Sequence, residues 1–207
     1  MPPRSIALSP RKQPVQDRSR ATVDAVITAT IQVLVKDGYE KLTTTKVARA
    51  AGVSVGSLYQ YFPTKDAVVL AVLEIHLDEI FRAMERGLAA AGPSLEEQVD
   101  GILAGLLEAK GRNPALSVAL KNQVARLEGN ARVRRLLGRT QALVAGALAG
   151  HPRALAKVDP AWAAFVTTAA VDGVLSSILE SDPRRMRDPR LPGELRRLVM
   201  GYLRPER

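Results

Sequence analysis

Between Thr44 and Lys65 the chain gathers groups that bind anions and flat base edges. They are the hydroxyls of Thr44, Ser54, Ser57, Tyr59 and Tyr61, the amide of Gln60, and the ammonium of Lys65. The chain holds only one Trp, four Tyr and three Phe, yet Tyr59, Tyr61 and Phe62 fall within four consecutive positions. Hydroxyl and ammonium groups donate to phosphate oxygens, and a Gln amide matches the donor and acceptor edge of adenine. Other reactive types are scarce. There is no Cys, which excludes a thiolate metal site, a Cys nucleophile and a disulfide framework. The only histidines, His76 and His151, stand far apart without metal-ligand spacing. No HExxH motif or phosphate-cradling Gly loop is present. Glu108 and Asp172 are the one acidic pair that could support catalysis, and only if the fold brings them into one pocket.

The elements that must position these groups read as helices. Val23, Val26, Ile27, Thr30, Ile31 and Leu34 recur at three and four, predicting a helix over about 18–36 that Gly38 ends. Thr43 and Thr44 offer a cap for a short second helix with Val47, Ala48 and Ala51 inward, and Gly52 closes it. Ser54 caps a third helix through about Tyr61, and its exposed amides suit a phosphate. Pro63 stops that helix and Thr64 caps a fourth, which the apolar pattern carries to about Ala90. On a helical wheel Val55, Leu58 and Phe62 share one side of the third helix. Gly56, Ser57, Gln60 and Tyr61 share the other, with Tyr59 at the border. Two short helices joined by AGVS and preceded by a third are the layout of a helix-turn-helix. Beyond, turns at AGPS, GRNP, GHP, DP, SDP and DPRLPG separate helices near 94–111, 114–127, 130–149, 160–181 and 192–204. The sum is an all-α chain of about nine helices without a sheet.

Charge divides along the chain. Residues 1–66 carry ten Lys/Arg against five Asp/Glu, residues 67–181 twelve against twelve, and residues 182–207 eight against four. A basic end on a neutral middle suits a polyanion-binding module joined to something else. The first residues are rich in Pro and basic side chains, which predicts a disordered arm over 1–15. Arg4, Arg11 and Lys12 of that arm, with Arg18 and Arg20 after it, could reach a groove or backbone. The start lacks the apolar stretch of a secretory signal, and no apolar run approaches the roughly 18 residues of a membrane span. The expectation is a cytoplasmic protein away from membranes. The Arg-rich stretch 182–190 reads as a solvated connector.

The stretch LTTTKVARAAGVSVGSLYQYFPTKDAVVLAVLE, residues 42–74, resembles the signature of the TetR/AcrR transcriptional regulators. The matches are the Thr43–Thr44 pair, Val47, Ala48, AGVS from Ala51 to Ser54, then Gly56, Ser57, Leu58, Tyr59, Tyr61, Phe62 and Lys65. The resemblance covers about residues 16–75, and the remainder carries little motif. It implies a non-enzymatic regulator that needs no cofactor and binds a near-palindromic double-stranded DNA operator as a homodimer. A small-molecule effector in the C-terminal domain would release the DNA. Carried over by position, the DNA-contacting set is Thr44, Ser54, Gly56, Ser57, Tyr59, Gln60, Tyr61 and Lys65. Val55 stands where many members have Lys or Arg, and Gln60 occupies a variable site that would set sequence preference. The domains implied are a DNA-binding module over 16–65 and a ligand-binding and dimerisation domain over 66–207.

For the dimer, the apolar and small-residue segments 160–181 and 191–203 are the candidates, with Ala170, Gly173, Val174, Leu195, Leu198, Val199 and Tyr202 at the interface. For the effector, linings drawn from 94–111, 114–127 and 160–181 are mostly aliphatic and suit an apolar ligand. Leu103, Leu106, Trp162, Phe165 and Ala169 are the apolar candidates, and His76 and Gln123 the polar ones. Gln98, Asn122, Thr167, Thr168 and Asp172 could add polar contacts. A DNA-binding regulator without an effector, controlled by a protein partner, is the alternative. A closed, fully packed C-terminal core would favour it.

Overall fold

The computed structural model describes residues 17–127, 130–153, 155 and 158–204. The arm at 1–15 therefore lies outside the described residues, and so does the side chain of Arg18. Among the described residues there are nine α-helices, one short 3₁₀ helix and no strand. The chain divides into two compact units, Met1–Ile75 and His76–Arg207.

Unit 1 begins with α1 (Asp17–Lys41), whose Val26, Ile27, Thr30 and Leu34 are buried. The Thr30 hydroxyl donates to the Val26 carbonyl at 2.7 Å, so this polar group is satisfied inside its own helix. Gly38 breaks the helical path with φ 75°, a conformation that disfavours any side chain. Helix α2 (Thr44–Ala51) packs on α1. Of the two threonines available, Thr43 is the cap, accepting from the Lys46 amide at 3.2 Å. Gly52 closes the helix with φ 66°. Helix α3 (Val55–Tyr61) packs on α2 with Leu58 in the core, and Phe62 just beyond its end is also buried. The Thr64 hydroxyl accepts from the Ala67 amide at 3.1 Å and opens α4 (Lys65–Ala89). The division between the units falls inside α4.

Unit 2 continues with α5 (Leu95–Arg112), α6 (Pro114–Leu127), α7 (Ala131–Ala149), α8 (Pro160–Ser181) and α9 (Leu191–Leu203). Ser94 and Glu97 form a reciprocal capping box at the start of α5. Helix α8 packs against α6, α7 and α9, and α5 packs against α7 and α9. The core holds Val99 and Leu103 of α5, Leu148 of α7, Leu175 of α8 and Leu195 of α9. Helix α4 crosses α5 at glycines. A Cβ on Gly101 would overlap the Gly87 carbonyl, and one on Gly105 would overlap the Ala83 carbonyl. The two backbones approach too closely there for any side chain.

Two expectations need adjustment. The connector 182–190 contains a 3₁₀ helix (Pro183–Arg187), capped by the Asp182 carboxylate accepting from the Arg184 amide at 3.3 Å. Helix α8 is long and apolar enough, by composition, to cross a membrane. This departs from the expectation that no apolar run is long enough to span, because Thr, Asp, Gly and Ser interrupt the apolar sequence of α8 without making it polar on average. In this fold α8 packs against three other helices, with Thr167 and Ser176 buried and Asp172 and Gly173 exposed.

Candidate nucleic-acid interface and ligand cavity

The face of unit 1 formed by α3 and the start of α2 is a set of paired hydroxyls. Ser54 accepts from the Ser57 amide at 3.0 Å, and its oxygen lies 2.8 Å from the Ser57 hydroxyl. The Thr44 hydroxyl lies 3.0 Å from the Tyr59 hydroxyl. Each pair uses one hydroxyl hydrogen between its members and leaves the other to donate outward. Tyr59 and Gln60 are exposed. Gly56 is exposed too, and a Cβ there would meet nothing nearer than Ser54 Oγ at 3.8 Å. The fold does not require glycine at this position, and glycine costs about 1 kcal/mol against Ala in a helix.

Lys65 sits over the Tyr39 ring, 4.1 Å from its centre, and donates to the Tyr39 carbonyl at 3.4 Å. The Tyr39 hydroxyl in turn donates to the Asp66 carboxylate. The ammonium is thus held at the start of α4 with donors to spare. Lys46 is tied to Asp37 at 2.7 Å, and that hydrogen bond holds the Asp37 carboxyl below its ordinary range.

Tyr61 departs from the sequence expectation. It is 7% exposed, and its hydroxyl donates to the Ser19 hydroxyl at 3.1 Å. Its ring therefore ties α3 to the start of α1, and the phenol hydrogen is engaged there. The wheel missed this because it assumed one covered side for α3.

Unit 2 contains a cavity of about 290 Å³. Its wall comes from α4, α5, α7 and α8, with Val199 from α9. Leu103, Leu106 and Ala169 line it, as the sequence suggested, as do Gln98, Thr167, Thr168 and Asp172. The other candidates do not. His76 is buried beside the Ser117 hydroxyl at 3.3 Å. Burial, with the nearby Lys110 charge as a second cause, lowers its pKa to about 4. Gln123 is buried and accepts from the Arg126 guanidinium at 3.1 Å. Trp162 is 62% exposed and pairs with the exposed Phe165 on the outer side of α8, ring centres 5.5 Å apart. Among the described residues α6 contributes nothing to the wall, whereas α7 supplies Leu137, Thr140, Gln141 and Val144. Nothing in the sequence pattern distinguishes which of two apolar helices meets a cavity.

Glu108 and Asp172 do not form an acidic pair. Glu108 binds Arg112, and Asp172 accepts from Lys110 at 2.6 Å. Of the residues suggested for a dimer, Leu195 and Val199 are buried in the core of unit 2, while Ala170 and Tyr202 are half-buried. Gly173, Val174 and Leu198 are exposed.

A small helical module with a paired-hydroxyl face, joined to a helical unit with an apolar cavity, defines a helix-turn-helix regulator. The comparisons are specific. Residues 26–72 match the family described as bacterial regulatory proteins, tetR family, and residues 94–203 match the tetracyclin repressor-like C-terminal domain. The chain belongs to the TetR family of transcriptional regulators, which are not enzymes. It is 33% identical over 95 residues to the HTH-type transcriptional repressor KstR of Mycolicibacterium smegmatis, covering 46% of each chain. It is 29% identical over 133 residues to the HTH-type transcriptional regulator CymR of Pseudomonas putida, covering 58% of this chain and 66% of that one. The chain spans about half the length of the KstR relatives it matches. In fold it is similar to the fatty acid degradation regulator FadR of Bacillus halodurans, with TM-score 0.78 and 19% identity, over 93% of this chain and 98% of that one. FadR of Bacillus subtilis in complex with stearoyl-CoA gives TM-score 0.76 and 16% identity, over 86% and 98%.

Proposed function

We propose that this protein is a cytoplasmic, effector-responsive repressor that binds a palindromic operator as a homodimer. The observation that carries the reading is the bare, exposed Gly56 between Ser54 and Gln60. A helix accepts the cost of glycine there with no internal contact demanding it. A partner that must approach the backbone closely supplies the missing reason. Ser57 and Gln60 read base edges, Thr44, Ser54, Tyr59 and Lys65 hold phosphates and sugars, and Tyr61 keeps α3 in place. The dimer joins through α8 and α9, where Trp162, Phe165, Val174 and Leu198 leave apolar surface exposed.

The effector is apolar and occupies the cavity of unit 2. Stearoyl-CoA in the related FadR structure supports a ligand with an aliphatic chain. The open volume favours this over regulation by a protein partner alone, which a filled core would have suited. Helix α4 carries Lys65 near its start and Leu77, Ile80 and Met84 of the cavity wall further along. A ligand that displaces α4 would move both recognition helices and spoil their half-site spacing. Coupling is reciprocal, so operator should weaken effector binding by the same factor. Equal effector affinity with and without operator would remove the coupling.

The test of DNA reading is selection of random duplex DNA by the purified chain at physiological salt. An enriched two-fold palindrome is expected. Binding without enrichment that vanishes as salt rises would reduce the surface to a nonspecific basic patch.

A further inference from the structure

Among the described residues the cavity wall contains a single cation, and its arrangement says something about the ligand. The Lys110 side chain is 13% exposed, while its carboxylate partner Asp172, 2.6 Å away, is 63% exposed. Both belong to the cavity wall, which is otherwise aliphatic with Gln and Thr side chains. The charge that is costly to strand is therefore Lys110, embedded in apolar surface. Its partner is the member that can leave cheaply, since an exposed carboxylate regains water on departure. Burial, and after it the Lys110 charge, disfavours protonation of His76, so the neighbouring imidazole is neutral and does not compete for an anion.

From this geometry, and resting on the effector reading above, we infer that the cavity takes an aliphatic carboxylate. Its acid group displaces Asp172 from Lys110 while its chain fills the apolar cavity. In this structure Asp172 holds the place on Lys110 that the ligand's carboxylate would take. The volume of about 290 Å³ holds roughly ten heavy atoms at about 30 Å³ each. Octanoate is a probe of that size.

The experiment measures binding of octanoate and of its uncharged methyl ester to the full chain by calorimetry, in the wild type, Lys110→Met and Asp172→Asn. The wild type should prefer the acid by about tenfold or more, the usual worth of a hydrogen bond to a charged group. Lys110→Met should lose that preference by weakening the acid and leaving the ester unchanged. Asp172→Asn should bind the acid more tightly and the ester no differently, because the competing carboxylate is gone. Asp172→Asn is the safeguard if Lys110→Met folds poorly. Equal affinity for acid and ester in the wild type would overturn the inference, and so would binding of neither. A shared release of selected DNA by acid and ester alike would leave the effector reading intact while removing the carboxylate. DNA binding that neither compound affects would count against the effector reading as well.

Discussion

The two units of this chain hold their functional residues in opposite ways. In unit 1 the face on α3 depends on particular side chains: a bare glycine, a Gln amide, paired hydroxyls 2.8 and 3.0 Å apart. In unit 2 the cavity depends on volume and polarity, and many aliphatic sets would build it equally well. A surface that reads another molecule's hydrogen-bond pattern fixes residue identity. A surface that encloses an aliphatic ligand fixes only space, with one charged pair as the exception.

The sharpest way to break this contrast is to find a place in unit 2 where identity matters as much. The α4–α5 crossing is that place. Gly105→Val should cost about 3 kcal/mol or more, because the obstacle is the Ala83 backbone and not a movable side chain. Gly146→Ala on α7, where a Cβ meets nothing, should stabilise by about 0.5–1 kcal/mol. Urea unfolding of both variants checks the pair; equal effects would mean that the crossing is looser than the fold implies.

A second, smaller effect concerns the buried imidazole. His76 refuses a proton until about pH 4 in the folded chain, whereas the unfolded chain accepts one near 6.5. The stability that neutral His76 contributes is complete above pH 6.5 and falls as the pH drops toward 4. Between pH 7 and 5 the wild type should lose roughly 2 kcal/mol more than His76→Gln, measured by urea unfolding at each pH. A parallel pH dependence in both proteins would place the imidazole in water.

Within unit 1 the contrast sharpens between two tyrosines. Tyr61→Phe removes the bond to Ser19 and should cost about 1 kcal/mol of stability with little change in DNA affinity. Tyr59→Phe should leave stability within about 0.5 kcal/mol and weaken DNA binding instead. Unfolding and binding curves for the two variants would contradict the assignment if the effects were exchanged.

On the same face of unit 1 a small gain in stability is expected. Gly56→Ala should stabilise unit 1 by about 0.5–1 kcal/mol while weakening DNA binding, since the added methyl points at the space reserved for DNA. A variant that gained stability and kept full DNA affinity would remove the functional reason for that glycine.

How much was readable in the sequence follows from the same contrast. Gly52, Ser54, Pro63 and Thr64 punctuate unit 1 with local backbone and capping chemistry, so α2 and α3 could be drawn almost to the residue, whereas α1, expected to end at about 36, resumes after the break at Gly38 and runs to Lys41. Tyr61 escaped because the burial of a seven-residue helix depends on what lies on both flanks, and the α1 contact through Ser19 is remote in sequence. In unit 2 the helices were again legible from periodicity. The cavity was only half so: Trp162 and Phe165 were apolar enough for a lining, yet their helix turns them outward. Apolar periodicity tells that a face is covered, not which neighbour covers it. Nothing in the sequence marks the glycines at the α4–α5 crossing, because their reason is another helix's backbone.

The most direct test of the account compares Gln60→Ala and Lys65→Ala on the duplex enriched by the wild type and on single-base variants of it. If the exposed face of α3 reads bases, Gln60→Ala changes the order of preference among duplexes. Lys65→Ala then weakens all of them by a similar factor and flattens the salt dependence. An unchanged order of preference for Gln60→Ala, with the same uniform loss for both variants, would contradict base reading by α3.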